Sequence, residues 1–295
     1  MKTSASFPAW LCAAALCLCS CGDDSGSKPV SLPGATPPTQ PAALAQSGAP
    51  APAPRAPAVR DGVDTEWYPG AEGRQKKAEG ERKDGKQVGS WTWWDSSGRI
   101  QVAGQFTDGL ASGTWIEYYP SGRKKKEEQW EAGKRDGLST TYDESERKLE
   151  EMHLQHGLPE GLFTHYHPNG QKAAEGFFKA GHKEGEWKEW HPSGMLAKQG
   201  AMKTDKNDGK WSVWYENAQL SQSVEFQEGA MNGELQAFYE DGKPKLAGRY
   251  ELGKKTGEWR YWSATGELDA EKSGLYAADK RTGALPEAPA DGGGK

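Results

Sequence analysis

Histidine and cysteine are among the side chains of this 295-residue chain that could hold a metal ion or act as nucleophiles. His165 and His167 lie two residues apart, which places them on one face of a strand, and His191 follows one sequence repeat after His167. Strands two positions apart in a sheet are separated by about 9.6 Å, which is too far for easy shared ligation of one ion. The four cysteines all lie within the first 21 residues and do not complete the site. We therefore predict no metal site and no cofactor.

Catalytic groups do not form a recognisable constellation. Serine, histidine and aspartate occur, but no nucleophile elbow, phosphate-binding loop or zinc-binding helix motif is present, and carboxylates are scattered. The net charge is −5, and the basic run Arg123 to Lys126 is followed at once by Glu127 and Glu128. This pattern favours a solvated strand face over a patch for phosphate or lipid headgroups. We predict no enzyme activity and no binding of nucleic acid.

Aromatic residues, in contrast, recur with a period that is set by a glycine. This glycine returns every 24 residues, at Gly89, Gly113, Gly137, Gly161, Gly185, Gly209, Gly233 and Gly257. Two positions after it lies a first row: Trp91, Trp115, Ser139, Phe163, Trp187, Trp211, Leu235 and Trp259. Three positions further on lies a second row, aromatic in every copy: Trp94, Tyr118, Tyr142, Tyr166, Trp190, Trp214, Phe238 and Trp262. Such a fixed period predicts one small unit that is copied about eight times.

Each unit has the sequence features of a β-hairpin. Some copies contain Pro-Ser-Gly or Pro-Asn-Gly, as at Pro120 to Gly122, which suits a type I turn followed by a left-handed glycine. Apolar and polar residues then alternate with period two, as from Ile100 to Phe106, which is typical of a strand with one buried face. We predict an all-β fold, an elongated antiparallel meander of about eight 24-residue β-hairpin repeats over residues 65–268.

The aromatic rows are predicted to form the core, because stacked hairpins bury a continuous stripe of rings that one hairpin cannot. Rows three residues apart would lie on opposite faces of a regular strand, so we favour a bulge that returns both to one face. Glycines inside strands, such as Gly104 and Gly176, are expected to make room for a neighbouring ring. The predicted repeat-core aromatics are Trp91, Trp94, Trp115, Tyr118, Phe163, Tyr166, Trp187, Trp190, Trp211, Trp214, Phe238, Trp259 and Trp262.

The third copy departs from the pattern. Ser139 replaces the first-row ring and Glu146 replaces the turn glycine, so we expect a local bend or weak point there.

The pattern G-x-W-x-x-[WYF]-x-x-x-G-x-x-x-x-x-G-x-F-x-x-G, seen from Gly185 to Asp205 and in the neighbouring copies, resembles the variant class of MORN repeats in bacterial YwqK-type proteins. The resemblance covers about residues 66 to 268, and departures such as Glu146 and Ala218 affect single copies. It implies an antiparallel meander and an interaction role. Proteins of this group are often labelled antitoxins, so it also implies an antitoxin or immunity function.

The first 21 residues have the form of a bacterial lipoprotein signal peptide. Lys2 precedes an apolar run from Ala9 to Leu18 that is too short to span a bilayer comfortably. The segment Leu18 to Gly22 resembles a lipobox, which implies that Cys21 is lipidated, for example with palmitate, and becomes the mature terminus. The alternative is an ordinary signal peptide with an incidental cysteine. Because several acyl chains anchor stably, we predict a protein that is exported and lipid-anchored to the bacterial cell envelope.

Segments poor in core-forming residues flank the repeats. Residues 22–64 are rich in proline, alanine and glycine, and we predict a disordered tether there. The alternation fades past Leu268, so residues 269–295 are predicted to be a disordered tail.

These patterns favour an interaction protein over an enzyme. The leading hypothesis is an envelope-anchored lipoprotein whose MORN-type repeats are a non-catalytic scaffold for an unidentified envelope protein, with the membrane contacted only through lipid. A second hypothesis is a glycan-binding or cell-wall-binding module, in which part of an aromatic row is exposed and stacks on sugar rings. The third is the antitoxin or immunity function that the resemblance implies.

Overall fold

The computed structural model describes residues 61–70 and 75–286 of the chain. This part contains β-strands and no helix, which confirms the prediction of an all-β fold. The strands are β1 (Gly62–Trp67), β2 (Lys76–Lys83), β3 (Lys86–Trp94), β4 (Ile100–Thr107), β5 (Leu110–Tyr118), β6 (Lys124–Glu131), β7 (Lys134–Tyr142), β8 (Lys148–Gln155), β9 (Leu158–Tyr166), β10 (Lys172–Lys179), β11 (His182–Trp190), β12 (Leu196–Lys203), β13 (Lys206–Trp214), β14 (Leu220–Gln227), β15 (Ala230–Phe238), β16 (Pro244–Glu251), β17 (Lys254–Tyr261), β18 (Gly274–Ala277) and β19 (Lys280–Gly283). Each strand pairs antiparallel with the next one in the chain, so the predicted meander is confirmed. Among these residues, no helix has the length and hydropathy that a membrane crossing requires.

The chain divides into two units, Met1–Arg55 and Ala56–Lys295, and the described residues belong to the second. The predicted signal peptide, the predicted lipidation site Cys21 and most of the predicted tether lie outside the described residues.

Two kinds of turn alternate along the meander. From β3 to β15, each odd-numbered strand ends in a type I turn; in the turn at Tyr119, the Gly122 N–H donates to the Tyr119 carbonyl at 2.8 Å and Gly122 has a φ of 84°. Glu146 and Ala218 replace this glycine in two copies and take the same left-handed conformation, with φ of 62° and 63°. Even-numbered strands end in two-residue turns in which both residues have positive φ, as at Asp108 and the glycine after it.

Hydrogen bonds at the two-residue turns tie each hairpin to the one before it. The Gly133 N–H donates to the Ala111 carbonyl at 2.8 Å, and the equivalent bond recurs at the turns of all later copies. The repeat length is therefore fixed by backbone hydrogen bonds as well as by the aromatic rows.

The first-row tryptophans pack over glycines of the preceding strand. A Cβ atom on Gly200 would stand well under 3.0 Å from the Trp211 indole, and one on Gly104 would overlap Trp115 in the same way. These glycines make room for the rings, as predicted. Trp91 and Trp259 are only 1% exposed, and Phe106 and Tyr250 contact their rings edge-on.

The two aromatic rows lie on opposite faces of the sheet, so the prediction of a shared face is wrong. The rings of Trp91 and Trp93 contact each other with centroids 5.9 Å apart, which places both on one face and leaves Trp94 on the other. The register does shift beside Trp94, but the unpaired residue, Gln101, belongs to β4. The bulge therefore lies on the following strand and leaves the alternation of β3 intact.

We call the face that carries the first row the aromatic face and the face that carries the second row the polar face. The predicted core aromatics divide between them. The structure places these on the aromatic face: Trp91, Trp115, Phe163, Trp187, Trp211 and Trp259. It places these on the polar face: Trp94, Tyr118, Tyr166, Trp190, Trp214, Phe238 and Trp262.

The strand boundaries correct two predicted domain limits. β1 begins at Gly62, inside the stretch that was expected to be tether. Beyond Leu268, where a disordered tail was expected, β18 and β19 form a further hairpin that pairs with β17. The Arg281 guanidinium donates to the Ser273 carbonyl at 2.9 Å and holds this hairpin in place. Because no further copy of the repeat follows Trp259, the sequence period does not reveal the last two strands.

Substitution of Gly200 tests the packing of ring over glycine. We expect Gly200→Ala to destabilise β12 and β13 by about 1–3 kcal/mol, because the added methyl group displaces the Trp211 indole. The Gly200→Val/Trp211→Leu pair copies Val224 and Leu235, which face each other in a later copy, and should recover most of the loss caused by Gly200→Val alone. Hydrogen exchange of the β12 and β13 amides measures both effects. Unchanged exchange in Gly200→Ala would contradict this packing.

Candidate functional site

The polar face carries the second row as a regular series of partly exposed rings. The hydroxyls of Tyr118 and Tyr142 and the indole nitrogens of Trp190 and Trp214 make no hydrogen bond to any residue in the described ranges, and none of these atoms is buried. In contrast, the Trp211 indole on the aromatic face donates to the Ala201 carbonyl at 2.9 Å. The second row therefore offers ring surface and free donors to solvent, whereas the first row is occupied by folding.

A ladder of side chains runs beside these rings. The ladder passes through the residue two positions before each second-row ring. Each ladder residue is directly paired with a ladder residue on the neighbouring strand, without a break from β1 to β17. From β6 to β15 this ladder consists of Glu127, Thr140, Glu151, Thr164, Glu175, Lys188, Gln199, Ser212, Ser223 and Gln236. Directly opposite residues in such a ladder are about 5 Å apart. The polar face is thus a continuous strip that crosses the strands.

Ion pairs neutralise the ladder in its first half. Four even-numbered strands carry a lysine three residues before the ladder glutamate: Lys76–Glu79, Lys124–Glu127, Lys148–Glu151 and Lys172–Glu175. The bulge at the start of these strands puts residues three apart on one face. The Tyr166 hydroxyl donates to the Glu151 carboxylate at 2.5 Å, and burial together with this carboxylate raises the pKa of Tyr166 to about 12. We call this first half of the polar face the charged half. Its lysines Lys124, Lys148 and Lys172 lie directly opposite the second-row rings of the preceding strands.

The second half of the ladder has neither the lysines nor the glutamates on its even-numbered strands. The lysine position holds Leu196, Leu220 and Pro244, and the glutamate position holds Gln199, Ser223 and Ala247. In the first half, only β4 has this uncharged type, with Ile100 and Ala103. We define the neutral half of the polar face as Trp190, Trp214 and Phe238 together with Gln199, Ser212, Ser223 and Gln236.

A further row of hydrogen-bonding side chains, which sequence reasoning missed, lies at the type I turns. The Tyr119 hydroxyl donates to the Tyr142 carbonyl of the next copy at 2.7 Å. His167 and His191 occupy the same position, and their Nε2 atoms donate to the Trp190 and Trp214 carbonyls at 2.7 and 2.9 Å. These two histidines thus link second-row backbone between copies. The signal was present in the sequence, because tyrosine or histidine recurs at this position with the 24-residue period, at Tyr119, His167, His191, Tyr215 and Tyr239.

The third copy interrupts the aromatic face with charged and polar side chains. Glu128 stands where other copies have glycine, and it faces Ser139, which replaces the ring. Lys126 and Arg135 contact the Glu128 carboxylate at 2.7 and 3.6 Å. Ser139 is only 8% exposed, so polar side chains fill the space that a first-row ring occupies in other copies. Strand pairing continues through β6, β7 and β8, and the expected bend or weak point stays a prediction.

His165 lies next to this cluster and not beside His167. It is directly opposite Glu150 on the aromatic face, and its Nδ1 atom is buried without a hydrogen-bond partner in the described part of the chain. Burial raises the pKa of the Glu150 carboxyl, and the positive charges of His165 and Lys126 only partly offset that effect. In the ranges 61–70 and 75–286, no group of three histidine, cysteine, aspartate or glutamate side chains is placed to hold a metal ion.

Comparison with known proteins agrees with the repeat. A family model described as MORN repeat variant matches residues 159–180 and 183–203. Residues 159–203 therefore contain a MORN repeat variant. The matched copies include Phe163 and Trp187, the first-row rings that follow the polar third copy. No curated protein matches the chain.

Two solved structures are similar to this chain at low identity. They are titled as crystal structures of TcdB2-TccC3-Cdc42 and of TcdB2-TccC3, and each is 10% identical to this chain with a TM-score of 0.15. Each match covers 66% of this chain and 14% of the other. The chain therefore spans about one seventh of those proteins, and a likeness at this TM-score supports no statement about function.

Glu150→Gln tests the polar interruption. A carboxyl whose pKa is raised on folding contributes its stability below its unfolded pKa and loses it as the pH rises through the folded value. In wild type, Glu150 should therefore make the β7 to β9 region open more easily at pH 7 than at pH 4. The neutral Glu150→Gln variant should lose this difference in opening between the two pH values. Hydrogen exchange at both pH values measures it, with the exposed Glu189→Gln as the control. Equal pH dependence in wild type and Glu150→Gln would contradict the assignment.

Proposed function

We propose that this protein is a non-catalytic interaction scaffold that is exported, held at the bacterial cell envelope through lipidated Cys21, and bound to another protein along its polar face. The observation that carries the proposal is the second row. Its rings recur in every copy, yet they lie on the face that the hydrophobic core does not use. Stacking of the first row accounts for folding, so the regularity of the second row calls for a different explanation.

MORN repeats support a repeat-based interaction module, because stacked repeats present extended surfaces. The glycan-binding alternative uses the same rings and is separated from the protein-binding proposal by experiment. For an antitoxin or immunity function, the described residues offer no contact from which to argue.

Site-specific photo-crosslinking tests the use of the polar face. Ser223 and Gln222 are neighbours on β14 that point to opposite faces, so they form a matched pair for a crosslinking amino acid. In intact cells, crosslinking from Ser223 should yield a discrete protein adduct, and crosslinking from Gln222 should yield far less. Equal adducts from both positions, or no protein adduct from any polar-face position, would overturn the proposal.

Cys21→Ser tests the anchor. The sequence contains no cysteine after residue 21, so the variant should lose its strong membrane attachment while its repeats fold unchanged. Fractionation should find the variant soluble or stalled with an uncleaved signal, and its circular dichroism should equal that of wild type. A variant that stays in the membrane pellet with its signal removed would show that the anchor lies elsewhere.

A further inference from the structure

We propose that the neutral half of the polar face is a docking surface for a proline-rich segment of a partner protein, bound in the polyproline II conformation. The inference rests on the proposed function, since it specifies what kind of segment the scaffold binds. Trp190, Trp214 and Phe238 provide the ring platforms, and Ser212, Ser223 and Gln236 provide the polar row beside them.

The spacing of the rings matches this conformation. Consecutive second-row residues are separated by two strands, or about 9.6 Å. A polyproline II helix has three residues per turn and rises 3.1 Å per residue, which gives about 9.3 Å per turn. A segment that lies across the strands therefore presents the same side of its helix to each ring in turn. Rows of aromatic side chains are the usual means by which proteins bind such segments.

The hydrogen-bonding groups of the neutral half also fit a proline-rich segment. Proline has no backbone N–H, and a polyproline II backbone forms no internal hydrogen bonds, so the segment offers carbonyl acceptors and few donors. The indole N–H groups of Trp190 and Trp214 and the side chains of Ser212, Ser223 and Gln236 make no hydrogen bond to the described residues and are open to solvent. They supply donors for those carbonyls. A carboxylate, which only accepts, is missing from this part of the ladder.

The charge pattern separates the two halves of the polar face as ligand surfaces. In the charged half, each ladder glutamate is paired with its own lysine, and a proline-rich segment would have to displace or bury those ion pairs. In the neutral half, Leu220 and Ser223 replace such a pair. The rings, serines and Gln236 of the neutral half are uncharged and complement an uncharged segment, and the nearest ladder charge, Lys188, is paired with Glu186 at 2.7 Å. The Glu186 carboxylate also accepts a hydrogen bond from the Gln199 amide, so Gln199 is not counted among the free donors. Beyond Phe238 the strip continues into a depression of about 240 Å³ that is charged, since Glu234, Arg249, Glu258 and Arg260 line it beside Gln236 and Ala247, so the uncharged surface ends there.

Binding of a labelled dodecaproline peptide to the full mature chain tests the inference. Fluorescence anisotropy should show saturable binding, and hexaproline should bind more weakly, because six residues span about 19 Å and reach two rings at a time. Trp214→Ala should weaken dodecaproline binding about tenfold. The Leu220→Lys/Ser223→Glu variant, which copies the ion pair of the charged half, should fold like the native copies and also bind about tenfold less tightly. Tyr118→Ala, in the charged half, should leave the affinity unchanged.

Each of the following results would contradict the inference. A glycine-serine peptide of equal length that binds as tightly would show that the conformation is not recognised. A hexamer of N-acetylglucosamine that binds in place of dodecaproline, and is lost in Trp214→Ala, would make the surface a glycan site. Absence of any saturable peptide binding would also overturn the inference, whereas a protein adduct from Ser223 in cells would still support the scaffold itself.

Discussion

Contact between a tryptophan and a glycine on the preceding strand is the interaction on which the rest of this structure depends. The indole occupies the volume that a Cβ atom on the glycine would take, and it covers the backbone of the preceding strand. The chain shows this constraint within itself. Wherever the first row has tryptophan, the facing residue is glycine, and where the ring becomes Phe163 or Leu235, the facing residue becomes Met152 or Val224. A smaller first-row side chain thus faces a larger partner, which keeps the space between the strands filled, as close packing requires.

Because this contact uses one face of every hairpin, strand alternation leaves the other face free. The second row, three residues away, then lies among polar groups, and its rings are not needed for the core. The core and the second row therefore lie on different faces of the same strands, and the recognition that we propose uses the face that the core does not need. The faces also differ in how they vary along the chain: the aromatic face changes its character at Ser139, whereas the even-numbered strands of the polar face lose their lysine–glutamate pair after Glu175.

Much of the fold follows from the sequence because the signals repeat. The period, the type I turn and the role of the strand glycines could be predicted because the copies reinforce one another. The face of the second row could not, because it depends on which of two paired strands carries the extra residue, and Gln101 has no side-chain feature that marks it as unpaired. The hairpin of β18 and β19 was missed because it lies outside the period. His167 and His191 were considered only as metal ligands, for which their spacing is too large, and the hydrogen bond between copies in which they replace tyrosine was missed.

The central claim is that the two aromatic rows face different environments, and fluorine NMR of the chain labelled with 5-fluorotryptophan tests it most directly. Single tryptophan-to-phenylalanine replacements assign the resonances, and exchange from H₂O into D₂O reports which indoles reach solvent. We expect no solvent isotope shift for Trp91, Trp187, Trp211 and Trp259, and a clear shift for Trp190 and Trp214. Similar shifts in both rows, or shifts confined to the first row, would contradict the division of the sheet into a folding face and a binding face.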